Sequence, residues 1–278
     1  MLGTGRYLMS SNIVTKAGVD SKTLASINLH AVLRNIQEIC SIDEVAKAEI
    51  ADKDLSVKFI VKGLDPTVLT FKNGKCTYSR GENEKAKIKL YFSSPEKFNA
   101  LIDGENVTPL PLGGLTKLGF MTSKDSGFSV LSKRLEYYLK PPAEEKEARL
   151  SDSVYFETNT KLTAFTAFHA LAEIANYDPI GSLVGKRFAD GQICVEVLGT
   201  DIAVTLTCKG GKMSAKIGRT ETPAALMQFG NLDIVHKVLN GQADVFGAMG
   251  SGLFDVSGYI PMLDNMSKLL SFVSRYLA

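Results

Sequence analysis

Lys72-Asn73-Gly74-Lys75 follows the apolar, β-branched run Thr67 to Phe71. Asn-Gly after such a run is a strong short-range signal for a hairpin. The same punctuation returns as Gly210-Gly211-Lys212 after the run Val204 to Cys208, with Gly211 lying 137 residues beyond Gly74. Carrying that spacing forward places Leu101-Ile102-Asp103-Gly104-Glu105 on Val238-Leu239-Asn240-Gly241-Gln242, with Phe92 on Phe229 and Phe98 on Val235, and needs no gap. Outside this block the spacing drifts: Leu29-His30-Ala31-Val32 matches Phe168-His169-Ala170-Leu171, and Tyr138-Leu139 matches Tyr276-Leu277. Small drifts are what loop insertions produce. Five correspondences in one chain order predict a tandem duplication.

The repeat divides the 278 residues into a first domain over 1–140, a linker over 141–152 and a second domain over 153–278. The linker is read from Pro141-Pro142-Ala143-Glu144-Glu145-Lys146-Glu147, which is Pro-started, charged and almost free of large apolar groups. With 45% hydrophobic and 22% charged residues the composition is that of a folding, globular chain. A net charge of +2 supplies no field for collecting nucleic acid, so no nucleic-acid partner is expected. Trp is absent and there are three His, which leaves few groups for proton relays or imidazole metal cages. Cys40, Cys76, Cys194 and Cys208 form no Cys-x-x-Cys pair, which speaks against zinc and disulfide frameworks. No apolar run approaches the roughly 20 residues that span a bilayer. Neither a cofactor, a metal nor stable membrane insertion is expected, and a reducing cytoplasm is the simplest compartment.

Each half follows one plan. Leu29, Val32, Leu33, Ile36, Ile39 and Cys40 fall at helical spacing, as do Leu162, Phe165, Phe168, Ala172 and Ala175, so each half opens on a helix with one apolar stripe. Strands follow around Val57–Val61 and Val195–Val197, then the hairpin, then a strand in which Lys85, Lys87 and Lys89 alternate with Ala86, Ile88 and Leu90. A helix capped by Ser94, with Pro95 at its first position and Gly104 as its stop, corresponds to one capped by Asn231. Phe128, Leu131, Leu135 and Leu139 mark a closing helix in the first half. Met262, Met266, Leu269, Leu270, Val273 and Leu277 mark one in the second. The fold class is α+β, with helices laid over a curved sheet in each half.

The second half resembles the sterol carrier protein type 2-like domain. The matching residues are Leu206-Thr207-Cys208-Lys209-Gly210-Gly211-Lys212, Asn231-Leu232-Asp233, Val238-Leu239-Asn240-Gly241, and Ala248-Met249-Gly250-Ser251-Gly252-Leu253-Phe254-Asp255-Val256-Ser257-Gly258. The last stretch is similar to a Met-x-Gly-x-Leu-x-x-x-Gly segment of that family. The first half matches through its hairpin and helix end, then departs: Pro109 to Leu115 keeps glycines without the Met, and Thr122 to Gly127 reads as an insertion. The resemblance implies two tandem copies of a twisted, mainly antiparallel five-stranded sheet with helices on one side. It further implies an apolar tunnel for fatty acyl chains, acyl-CoA or sterols, with no catalytic residues.

The leading expectation is therefore non-enzymatic binding or transfer of a lipid-like ligand. Tunnel lining is expected from Phe246, Met249, Val256, Met262, Met266 and Leu270 in the second half, and from Leu118, Phe128, Leu131 and Leu135 in the first. Flexible thioethers suit a pocket for loosely fitting chains, and equally suit a plain core. The alternative is a protein-interaction scaffold with collapsed tunnels, and a homo-oligomer fits either reading. An enzyme, third, requires polar groups gathered from distant segments. His169 has Glu173 one turn on, whereas His30 has Arg34 there, so no acid–base or metal site is shared by both halves. Gly181 to Arg187 lacks the spacing and the Ser/Thr of a phosphate loop. The uncharged counterparts of the lysine row, Thr222, Ala224 and Leu226, predict that this face of the second sheet is covered by the other half or by another subunit.

Overall fold

Asp20 accepts a hydrogen bond from the Thr23 amide at 2.7 Å and so caps α1 (Ser21–Ile27). The computed structural model describes residues 19–243 and 245–277. A π-helical turn (Asn28–Val32) breaks the first helix before α2 (Asn35–Ile42), and Asp43 caps α3 (Glu44–Ile50). Next come β1 (Leu55–Val61), β2 (Thr67–Lys72), β3 (Lys75–Arg80) and β4 (Ile88–Phe92), then α4 (Pro95–Ile102) and β5 (Leu110–Gly113). The half ends on α5 (Gly119–Thr122) and α6 (Phe128–Leu139). The Pro-started stretch expected as a linker contains a helix, α7 (Ala143–Leu150). Glu144 and Glu145 sit in its first turn, Arg149 in its last pairs with Glu145, and no residue of it is buried.

The second half opens on α8 (Ser153–Tyr177) and α9 (Gly181–Gly185). It continues with β6 (Gly191–Val197), β7 (Ala203–Lys209), β8 (Lys212–Ile217) and β9 (Ala225–Phe229), then α10 (Leu232–Leu239), α11 (Val245–Gly250), β10 (Phe254–Gly258) and α12 (Ile260–Leu277).

Two mixed five-stranded sheets result, ordered β3-β2-β1-β4-β5 and β8-β7-β6-β9-β10. Each has one parallel pair at its centre, β1 with β4 and β6 with β9; the other neighbours are antiparallel. The registers correspond: Val57 lies opposite Leu69 and Ile88, and Ile193 opposite Leu206 and Ala225. Both hairpins place their two central residues in the left-handed region, Asn73 and Gly74 at φ 54° and 67°, Gly210 and Gly211 at 56° and 72°. Such turns match the twist of the strands they join.

The fifth strand of each sheet runs into a glycine pressed on the start of the fourth. A Cβ on Gly114 would lie 2.1 Å from the Lys87 carbonyl oxygen, and one on Gly258 would lie 2.3 Å from that of Ala224. Only glycine permits that approach, and both sit at positive φ.

The opening helices depart from the single-stripe expectation. From Thr158 to Ala175, α8 is buried on nearly every side, polar Thr160, Thr166, His169 and Glu173 included. The reason is packing partners on both flanks: α8 covers its own sheet while α1, the π turn and α2 pack on its other side. Leu162 and Tyr155 of α8 join the core over the first sheet, and Ile27 and Ala31 join the core over the second. The two cores thus exchange side chains across a shared layer of helices.

The predicted covering of the second sheet's outward face by the first half is corrected: Ala224 is exposed and Leu226 only half-buried. Lys85 and Lys87 also precede the strand, which starts at Ile88, and Lys58 is drawn into a buried position by the Glu82 and Glu84 carbonyls.

Candidate ligand-binding seam

Of the tunnel residues expected in the second half, Val256, Met262, Met266 and Leu270 lie in or against the core cluster where α12 meets the second sheet. Met262 (1% exposed), Met266 and Leu269 point inward from α12 into one cluster with Val195, Val204, Leu206, Met227, Phe229 and Phe254. The tip of Met262 reaches under the helix to Gly191 at the start of β6. Val256 and Leu270 are half-buried against the same cluster. Met249 stands apart at 39% exposure. The side chain of Phe246 lies outside the described residues.

Helix α12 is held unevenly. At its C-terminal end the Tyr276 hydroxyl donates to Asp178 Oδ2 at 2.5 Å, and the other oxygen of Asp178 caps Ile180 and Gly181. Burial, with the Asp178 hydrogen bond, pushes the Tyr276 phenol up to about 12. In its middle Asn265 donates to the Arg187 carbonyl at 3.4 Å. At its N-terminal end Tyr259 and Ile260 are exposed at 50% and 63%. The pinned end is polar and buried, and the other end is apolar and open.

In the first half Leu131 and Leu135 are buried, while Phe128 and Leu118 are half-buried against the same core. Here the seam is filled by rings: Phe59 packs on Phe128 with centroids 5.5 Å apart, Phe71 on Phe120 at 5.2 Å, and Phe120 on Phe128 at 6.5 Å. By register, the positions of Phe59 and Phe71 are held in the second half by Val195 and Cys208. At these two positions the second sheet carries the smaller side chains, and its core also holds the rings of Phe229 and Phe254 and the thioethers of Met213, Met227, Met262 and Met266.

Two pockets, of about 240 and 260 Å³, lie elsewhere. The first is bounded by β4, α4 and Leu110, the second by Asp20, Asp178, Ile180 and Arg275. None of the nine expected tunnel residues whose side chains are described lines either pocket.

Sequence reasoning missed the polar cluster between the halves. Glu173, 2% exposed, accepts from both Arg80 guanidinium nitrogens (2.6 and 3.3 Å) and from Ser26 at 2.6 Å, not from His169. Burial pushes the Glu173 carboxyl up, and Arg80 and Ser26 oppose the rise. His30 Nε2 donates to the Asp65 carbonyl, leaving Nδ1 to accept from the Tyr78 hydroxyl at 2.9 Å. His169 Nδ1 donates to the Phe165 carbonyl at 2.8 Å. Burial lowers both histidines, His169 to about 3, so they are neutral at pH 7. His236 meets Thr160 Oγ1 at 3.2 Å. No signal in the sequence joins Glu173 to Arg80, 93 residues away. Among the described residues no group of three or more His, Cys, Asp and Glu is placed to hold a metal ion, and no helix is long and apolar enough to cross a membrane.

No protein-family model and no curated protein matches the chain. Solved structures do. The sterol carrier protein domain 2 of Helicoverpa armigera is 17% identical over 41% of this chain and 89% of its own, with a TM-score of 0.34. The UbiJ-SCP2 ubiquinone synthesis protein is 15% identical over 39% and 88%, at 0.31. Palmitated SCP2L2 from Aedes aegypti is 15% identical over 39% and 91%, at 0.30. Each covers about one sheet's worth of this chain, and at such identities no activity is carried across.

Proposed function

We propose that the chain is a tandem pair of sterol-carrier-like units and that its second unit binds an apolar, acyl-type ligand without catalysis. The observation that supports this reading is the exchange at two inward sheet positions, Val195 and Cys208 where the first half has Phe59 and Phe71, in a core that also holds Met262 and Met266. Thioethers change rotamer at little cost, so a chain entering at the open end of α12 displaces side chains and leaves the sheet intact. Each methylene buried contributes about 0.8 kcal/mol. The first unit, closed by aromatic rings, holds no ligand in this reading.

The test is extraction of the purified, denatured protein for mass spectrometry, together with titration of a fluorescent fatty acid. An extracted acyl lipid, or saturable binding weakened at least tenfold by Met266→Trp with the fold retained, supports the proposal. Absence of both overturns it. A second reading, a protein-interaction scaffold, is favoured by one observation: Met262, Met266 and Leu269 already fill the seam.

A further inference from the structure

Four strands lie at sheet edges, β3 and β5 in the first half and β8 and β10 in the second. An edge strand offers its backbone groups to any chain that can pair with them. Three of the four edges are closed. On β3 the outward Tyr78 amide donates to Gln37 of α2 at 2.8 Å, and on β8 the Met213 amide and carbonyl are both bonded to the Asn176 side chain of α8, at 3.0 and 2.7 Å. Strand β5 is four residues long and carries Pro111, with Pro109 just before it, which removes donors from that edge. Strand β10 has neither device. The Gly230 amide donates to the Leu253 carbonyl and the Tyr259 amide to the Ala224 carbonyl, so residues 253, 255, 257 and 259 turn their backbone groups toward β9. By the alternation of an antiparallel ladder Phe254 and Val256 turn theirs outward. Among the described residues no side chain closes them as Gln37 and Asn176 close the other edges. Asp255 is the one charged residue of the strand, and Leu253 and Tyr259, exposed at 41% and 50%, flank it.

We propose that this edge is the docking surface for a second copy of the chain, the two β10 strands pairing antiparallel about a two-fold axis at Val256. In that register each Val256 exchanges both backbone hydrogen bonds with its counterpart, and Phe254 faces Gly258 of the second copy. Asp255 then lies across from Ser257, so the strand's one charge meets no like charge. Leu253 lies across from Tyr259, so two exposed apolar side chains cover each other. That self-matching points to a copy of this chain as the occupant. Among the described residues no other pair of sheet edges can join two copies, because α2 and α8 close β3 and β8 and prolines blunt β5. The contact therefore closes as a dimer and does not run on into a filament. The second sheets of the two molecules become one continuous sheet.

The experiment measures the mass of the full chain by sedimentation equilibrium across micromolar concentrations, with hydrogen exchange on the same samples. The expected result is a reversible rise from the mass of one chain to that of two, with the amides of β10 protected only as the dimer forms. Val256→Pro removes an outward donor, leaves the bonds to β9 in place and is expected to give a monomer. Ser257→Asp sets like charges across from each other at two places in the dimer and weakens association by about 2- to 30-fold, whereas Ser257→Lys sets opposite charges there and strengthens it by a similar factor. Ser257 is exposed, so both variants keep the fold, and their opposed shifts decide even where Val256→Pro fails to fold. A chain that stays monomeric throughout overturns the proposal, as does a dimer indifferent to both charges at 257. So does protection of the β10 amides in the monomer, which would mean that another part of the chain holds this edge.

Discussion

The two halves share strand order and register, yet differ on the inner face of the sheet: the first sets Phe59 and Phe71 against Phe128 and Phe120, and the second has Val195 and Cys208 in a core that holds Met262 and Met266. Rings have few rotamers and set a fixed shape, whereas thioethers leave a shape that can be redistributed. One backbone plan thus carries two different sets of inward side chains, and the difference lies in a few positions.

The sharpest way to break this picture is to attack what couples the halves. Glu173→Ala leaves the half-buried Arg80 guanidinium with Asp65 alone and Ser26 without its acceptor, and is expected to cost about 3 kcal/mol. Urea denaturation read by circular dichroism should show one transition throughout; two separate transitions in the wild type would mean that the halves fold independently. Leu162→Ala, on a helix of the second half but in the first half's core, is expected to cost about 3 kcal/mol. Hydrogen exchange should place the loosening in β1 to β4, and a response confined to β6 to β9 would contradict the shared core.

Acid acts more gently, through the buried histidine of each half. His169 is depressed to about 3 in the folded protein, against about 6.5 unfolded, so its stabilising effect is complete above pH 6.5 and is lost as the pH falls from there toward 3. At pH 5 this amounts to about 2 kcal/mol, and His169→Gln should remove that part of the pH dependence of urea midpoints. The glycines that press on the fourth strands sharpen the equivalence of the sheets. Gly114→Ala and Gly258→Ala should each cost about 2 kcal/mol or more, and a neutral result at either would show that strand to be slack. Smallest is the turn: Gly210→Asn, which copies Asn73, should change stability by under about 0.5 kcal/mol, because Asn accepts the left-handed region.

Much of each half was legible from residue chemistry. Asn73-Gly74 and Gly210-Gly211 located the hairpins, Ser94-Pro95 and Asn231 located helix starts, and both side-chain caps are present. These are local signals, decided within a few residues. The surroundings of α8 were not legible, because its burial on both flanks comes from α1 and α2, and a stripe counted on one helix cannot register a second partner. Glu173 likewise looked like a companion of His169, one turn away, and only the packing of the halves shows it to be the partner of Arg80 and Ser26. Met262 and Met266 could be named from the sequence as inward-facing on the last helix. Whether they fill space or guard it depends on side chains from β6, β7 and β10 that converge only in the fold.

The exchange of Leu162 and Tyr155 into the first core has a consequence in time. A chain made from its N-terminus has all of the first sheet and α6 by residue 139, but the side chains that complete the core above that sheet arrive only as α8 is made, to residue 177. At synthesis rates of about 5–20 residues per second that is a wait of roughly 2–8 s. During it Ile27 and Ala31, which pack into the core over the second sheet, have no α8 against them, so the nascent first half passes through an interval as a sticky intermediate before the second half supplies the lid.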